Sequence, residues 1–385
     1  MKCFNPTSSS TSRPRAGTLT AKAAAFGIVL FLMLALTGCQ SQESETPPAL
    51  LYTFQGTTMG TYYVVKLVQP AEQALDEAAQ EELLALIDSK LEGVNQAMST
   101  YLDDSELSRF NAAPAGEPFT LSEQTFEVFQ AAAKLGETSL GALDVTVGPL
   151  VNAWGFGPSY DVPKDLDNEL LEQLLQQIGW QHLTLDAEAN TVTKAHDNVY
   201  CDLSSIAKGF AVDQALETLR DRGHQSVMVE IGGEVRAIGA NLEGRAWRLG
   251  IESPVTTRGQ LQRIIPLDDR ALATSGDYRN YKERNGVRLS HLIDPRTGRP
   301  IDHRLASVSV VDRTCMRADG LSTALMILGP EQGLALADDQ GLAALFLVRE
   351  GDDFKEIPSR VFAELYMPGD GSDDISSTDA EGDAP

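Results

Sequence analysis

The sequence predicts an α+β fold, with mixed sheets and flanking helices. Two observations predict it. Helical periodicity gathers in the first half of the chain, and short strand-like runs gather in the second. Strands and helices do not alternate as a doubly wound sheet would require. Residues 62–68 alternate enough to form a strand. Residues 72–98 form the strongest helix, with Leu83, Ile87, Leu91 and Val94 at helical spacing. Ser122 caps a second helix carrying Phe126, Phe129 and Ala133. A third covers 165–178, turns Leu171, Leu174 and Ile178 inward and stops at Gly179; a fourth covers 205–222 and closes at Gly223. Strands follow at 227–231, 235–238, 247–251, 261–267 and 307–311. A helix at 318–328 and a helix–strand pair over 331–348 complete the core.

With 385 residues, 42% hydrophobic and 22% charged, the chain has the composition of a soluble globular protein. Its formal charge of −24 excludes nucleic acid as a partner, because phosphate backbones need clustered Lys and Arg. An anionic ligand would need a cation or backbone N–H groups to be held here. The first 38 residues read as an export signal: basic residues from Lys2 to Lys22, then a short apolar run. Leu36-Thr37-Gly38-Cys39 matches a bacterial lipobox, with Cys39 as the lipidated residue. Residues 39–50 form a flexible tether, 51–366 the folded domain, and 367–385 an acidic disordered tail. The expected location is the periplasmic side of the cell envelope, on a lipid anchor. Cys201 and Cys315 could pair there, and Cys201 reads as a buried small hydrophobe.

Met59-Gly60-Thr61, Ala142 to Gly148, Asp202 to Gly209, Ala273 to Tyr281 and Asp319 to Thr323 are polar, glycine-rich segments that carry candidate chemistry, and a sixth segment carries the most. Ser290-His291-Leu292-Ile293-Asp294-Pro295-Arg296-Thr297-Gly298 packs a histidine, a carboxylate and a guanidinium into one tight turn. It reads either as a proton-handling loop or as a well-capped turn. Asp202 to Gly209 opens the fourth helix, and its Asp and Ser serve equally as plain caps or, with Lys208, as a phosphate site. Asp319 and Thr323 share a helix face beside Ser322. They suit a hard cation, Mg²⁺ above all, or else a solvated Asp and a Thr bonded back to its helix. Ala142-Leu143-Asp144 with Trp154-Gly155-Phe156-Gly157 either wraps a flat ring or fills a core. Gly232-Gly233 permits close approach of a ligand to the backbone. Ser205-x-x-Lys208, Tyr278-x-Asn280 and Arg296-Thr297-Gly298 also follow the order used by serine β-lactamases. Those matches are short, and nothing else in the chain supports them.

Taken in order, "MGTYY", "MSTYLDDSELSRFN", "ALDVTVGPLVNAWGFGP", "DLSSIAKGFAVD", "VEIGGEVRAIG", "ATSGDYRNY", "SHLIDPRTGRPI" and "ADGLSTAL" resemble the ApbE family, the FAD:protein FMN transferases. The resemblance implies an ApbE-like flavin transferase fold. It also implies an enzyme that cleaves FAD, releases AMP and joins FMN through its phosphate to a Thr or Ser of target flavoproteins, membrane redox subunits among them. Carried over by position, Mg²⁺ would be held by Asp319, Thr323, Ser322 and the backbone carbonyl of Ser205. FAD would contact Met59, Tyr101, Ala142, Leu143, Asp144, Asp202, Lys208 and Ile293. His291 is the expected base for the acceptor hydroxyl, aided by Asp294, on grounds of its chemistry. Leu143 stands where the family often has an aromatic, and the acidic tail has no counterpart in it. An FAD pyrophosphatase and a non-catalytic FAD-binding lipoprotein are the rival functions. Intact Asp319, Thr323 and His291 favour catalysis over storage.

Overall fold

The computed structural model describes residues 48–158, 166–254, 260–277, 281–284, 287–351 and 353–368. The export signal, Cys39, most of the tether and the acidic tail from residue 369 lie outside the described residues, as do Tyr278 and Asn280.

Eight strands share one sheet: β1 (Ala49–Thr58), β2 (Thr61–Pro70), β3 (Val227–Ile231), β4 (Glu234–Ile238), β5 (Arg270–Gly276), β6 (Leu305–Asp312), β7 (Ala343–Glu350) and β8 (Asp353–Pro358). They lie in that spatial order, and every neighbouring pair is antiparallel. Period-2 patterning explains why the apolar runs are nearly continuous. In β7, Ala344, Phe346 and Val348 join one hydrophobic cluster, while Ala343, Leu345 and Leu347 join another. Successive side chains of a strand face opposite ways, so this sheet is covered on both faces.

The helices are α1 (Glu77–Met98), α2 (Glu106–Ala112), α3 (Glu123–Thr138), α4 (Gly148–Ala153), α5 (Asn168–Leu175), α6 (Ala207–Asp221), α7 (Cys315–Asp339) and α8 (Arg360–Tyr366). Ile87 and Leu91 of α1, Phe129 of α3, Phe210 and Leu216 of α6 and Leu325 of α7 cover one sheet face. On the other face a hairpin, Trp247–Glu252 with Leu261–Leu267, and Phe362 of α8 pack against Val235 and Leu345. A third, small cluster joins Leu150 of α4, Leu171 of α5 and Ile293. It pins the loops beside the cavity described below.

Caps set the helix ends and correct several expected boundaries. Asp76 accepts the Ala79 N–H and Asp167 the Leu170 N–H, so α1 and α5 start later than their periodicity suggested. Ser122 caps α3 as predicted. The start of α6 is different: Ile206 is its N-cap and makes no side-chain bond, so neither Asp202 nor Ser205 caps it. Gly329, at φ 79°, and Pro330 break α7 where two helices were expected. The tether ends early, since Ala49 and Leu50 already pair with Pro70 and Gln69. Strands β1, β5 and β8 and helices α2, α4 and α8 were not read from the sequence.

Candidate functional site

Two-residue hairpin turns bring backbone to the mouth and floor of one large cavity. Met59 and Gly60, at φ 48° and 73°, join β1 to β2, and Gly232 and Gly233, at 62° and 107°, join β3 to β4. Such positive φ values are those of the primed turns that match strand twist. The cavity encloses about 1230 Å³ and is lined by residues of both turns, α1, α6, α7 and the loop at 291–295.

The structure brings most of the expected site residues together. Met59, Tyr101, Ala142, Leu143, Asp144, Asp202, Ser205, Lys208, His291, Ile293, Asp319 and Thr323 all line this cavity. Two do not. Ser322 is buried behind it, donating its hydroxyl to the Asp319 carbonyl at 2.9 Å, so it buttresses the α7 turn that carries Asp319. Asp294 takes Arg296 in a two-point grip, with both contacts at 2.8 Å, and is not among the lining residues. The turn is stapled further by the Arg296 and Gly298 N–H groups, which donate to Asp294. Asp294 thus shapes the loop that presents His291.

At the buried end, α6 and α7 cross closely. A Cβ on Gly209 would stand 2.3 Å from the Cys315 carbonyl oxygen and 2.7 Å from the Asp319 Cβ. Only glycine permits that approach, and it lets the Gly209 N–H donate to Asp319 Oδ2 at 2.9 Å. Gly209 lies in the first turn of α6, where N–H groups lack helical partners, so Asp319 caps a neighbouring helix. Lys208 Nζ lies 3.6 Å from Asp319 Oδ1 and 2.9 Å from Glu234 Oε1. Burial pushes the Asp319 carboxyl up to about 7, against the pull of Lys208. Burial alone would lower the Lys208 ammonium, but Asp319 and Glu234 outweigh it and hold it above its usual value. Ser275 of β5 completes this end, its hydroxyl 2.9 Å from that of Ser322 and 3.1 Å from that of Thr323.

The open end is built from loops. Leu140 and Gly141, at φ 55° and 81°, reverse the chain after α3 and present Ala142 to Asp144. Asp144 is tied down by the Thr146 N–H and hydroxyl and the Trp180 N–H, and burial raises its carboxyl against those bonds. Asp202 takes the Ser204 N–H at 2.9 Å. Tyr101 is 70% exposed, so one ring face is available for stacking. Phe156 sits edge-on to His291 at 6.4 Å, with Lys282 Nζ 5.3 Å from the Phe156 ring centre. Among the described lining residues six carboxylates stand against two lysines. A polyphosphate entering here needs an added cation.

Asp319, Thr323 and Ser205 all line the cavity and offer hard oxygen donors, the kind that would suit Mg²⁺. Among the described residues no cluster of three or more His, Cys, Asp or Glu forms a softer or all-carboxylate site. Cys201 and Cys315 are free and buried, with their thiols pushed up by burial. Sequence reasoning gave no role to Glu234, Ser275 or Lys282, and read Phe156 only as part of a run that wraps a ring or fills a core. Each lies in or beside a segment already singled out, and only the fold shows which side chain turns inward.

A model of the ApbE family matches residues 59–346. The FAD:protein FMN transferase of Vibrio cholerae is 46% identical over 335 residues, covering 87% of this chain and 97% of that protein. That of Escherichia coli K12 is 35% identical over 343 residues, covering 88% and 96%. Among solved structures, the flavin transferase ApbE from Vibrio cholerae superposes with a TM-score of 0.75 at 46% identity, over 83% of this chain and all of that one. The Pseudomonas stutzeri flavinyl transferase ApbE, in its apo form, gives 0.75 at 42%, over 83% and 98%. Fold, motif order and sequence likeness agree, and the chain belongs to the ApbE family.

Proposed function

We infer that this chain transfers FMN from FAD to protein, the activity its relatives are named for. We propose that it does so with Mg²⁺ at Asp319 and Thr323, releasing AMP. One observation carries the reading. A single cavity is lined both by the oxygen donors Asp319 and Thr323 and by the exposed Tyr101 and by Phe156, with His291 edge-on to Phe156. The flavin ring would lie along Tyr101 and Phe156, with the pyrophosphate toward Lys208 and Asp319. Bound there, Mg²⁺ would neutralise charge on the phosphates and on the leaving oxygen.

The acceptor hydroxyl oxygen of a Thr or Ser bonds to the FMN-side phosphorus as the phosphoanhydride bond to AMP breaks. AMP leaves with that bond's electron pair, and the hydroxyl proton passes to His291. Phe156 and the Asp294–Arg296 staple hold His291 in place. Adding a chelator should abolish FAD-dependent labelling of an acceptor flavoprotein, and excess Mg²⁺ should restore it. Labelling that survives the chelator would remove the metal from the reading.

The acceptors would be flavoprotein subunits of membrane redox complexes, met on the periplasmic side from a lipid anchor at Cys39. Among the described residues no helix is long and apolar enough to cross a membrane. Cys39→Ser should leave the membrane fraction while keeping full activity. Retention of that variant in the membrane fraction would overturn the anchor.

A further inference from the structure

Glu234 is one charged group of the cavity that the reading above does not use. It opens β4 directly after the Gly232–Gly233 turn and is 5% exposed. Its Oε1 takes Lys208 at 2.9 Å, while its Oε2 is buried with no hydrogen-bond partner. A buried carboxylate oxygen without a partner is costly and calls for a reason. The local charge is also unbalanced. Two buried carboxylates, Asp319 and Glu234, share one ammonium, so the trio is short of one positive charge when both acids are ionised.

The distances show how Lys208 divides itself. It is 0.7 Å closer to Glu234 than to Asp319, from 2.9 and 3.6 Å. Asp319 Oδ2 is committed to the Gly209 N–H, so Oδ1, which Lys208 contacts, is the oxygen a cation would take. A cation arriving at Oδ1 competes with the ammonium already beside it. Without a second carboxylate the displaced ammonium, its side chain 32% exposed, would keep no acidic partner beside the buried carboxylate it had left. A lysine has a flexible stem and three donors, so it can turn from one acceptor to another with little rearrangement.

We propose that Glu234 is a positioning residue that receives Lys208 when a divalent cation takes Asp319. Lys208 then stays paired with Glu234, and the cation keeps a positive charge in excess of Asp319 for an anionic ligand. This rests on the reading of Asp319 as a cation ligand. Glu234 is not itself the ligand in this arrangement, because a cation between the two carboxylates would occupy the place of the ammonium and leave Lys208 without a partner.

The test is Mn²⁺ binding to the full chain without FAD, followed by titration calorimetry and the paramagnetic signal of free Mn²⁺. Wild type, Asp319→Asn, Glu234→Gln, Lys208→Met and the Glu234→Gln/Lys208→Met double variant form the set, each checked for folding by circular dichroism and melting. Wild type should bind and Asp319→Asn should not. Lys208→Met should bind more tightly than wild type, since the competing ammonium is gone. Glu234→Gln should weaken binding, and the loss should be about tenfold larger with Lys208 present than with methionine there. Should Glu234→Gln fail to fold, Glu234→Asp enters the same cycle, keeping the charge but shortening its reach. Equal losses in both backgrounds would make Glu234 a ligand or a distant charge and overturn the proposal, as would wild-type binding by Glu234→Gln. A wild type that binds no Mn²⁺ would instead remove the metal at Asp319, and this proposal with it.

Discussion

At one end of the cavity Asp319, Glu234 and Lys208 stand on two helices and a central strand, the two carboxylates buried, Lys208 half-buried between them, and Asp319 fixed by the Gly209 N–H. At the other, Tyr101, Phe156, Lys282 and His291 stand on or beside loops, where Tyr101 is largely exposed. The difference is one of preorganisation. Charge on a transferring phosphoryl group is best met by groups that need not move, and a rigid low-dielectric wall supplies them. A flavin ring and a protein acceptor must enter and leave, which suits aromatic faces on loops.

The comparison is broken most severely at the buried end. Asp319→Ala removes the proposed ligand carboxylate and the partner of Gly209 and Lys208, so FMN transfer should fall about a thousandfold or more. FAD binding should weaken only in part, because the aromatic end is untouched. Transfer rate against added Mg²⁺ measures it, and a wild-type rate with limiting Mg²⁺ would show the rigid end to be dispensable.

Next comes the base proposed at the open end. His291→Ala should slow transfer to a protein hydroxyl about a hundred- to ten-thousandfold while FAD affinity holds. Hydrolysis of FAD by stray water should suffer less, so the two rates separate in the same variant. Equal slowing of both would place His291 in binding rather than in proton transfer.

Gly209→Ala asks whether the buried end is rigid for function. The added methyl meets the Cys315 carbonyl at 2.3 Å and must push α6 from α7. Overpacking of this kind costs about 1–3 kcal/mol, read as a lower melting temperature, and Mg²⁺ should bind more weakly. A variant as stable as wild type would mean that the two helices are not held as tightly as their spacing indicates.

The smallest effect belongs to the open end. Tyr101→Ala should raise KM for FAD by up to about tenfold, the range of one aromatic contact, and leave kcat near wild type. The melting temperature should barely move, since the ring is exposed. A large loss of stability would make Tyr101 structural instead.

The sequence showed the open end better than the buried one. Glycine-rich motifs mark turns wherever they occur, so Met59-Gly60 and the loop around His291 were visible from local residues alone. Glu234 was not, because a glutamate after Gly-Gly looks like any hairpin residue until β4 is known to be central. Strand β5 carries Ala271, Ala273 and Gly276, small residues of weak strand preference. Its place between β4 and β6 comes from tertiary pairing, so Ser275 was not seen beside Thr323. The surroundings of Ser322 and Asp294 were hidden for the same reason. Spacing puts them next to chemistry, but only packing shows Ser322 facing inward behind Asp319 and Asp294 gripping Arg296.

The most direct test of the account is AMP release measured with and without an acceptor flavoprotein. The full chain is supplied with FAD and Mg²⁺, and the acceptor is followed on a denaturing gel by flavin fluorescence. The account predicts AMP release that depends on the acceptor, with one flavin fixed to protein for each AMP formed. AMP appearing equally fast without any acceptor would contradict it and make this chain a hydrolase of FAD.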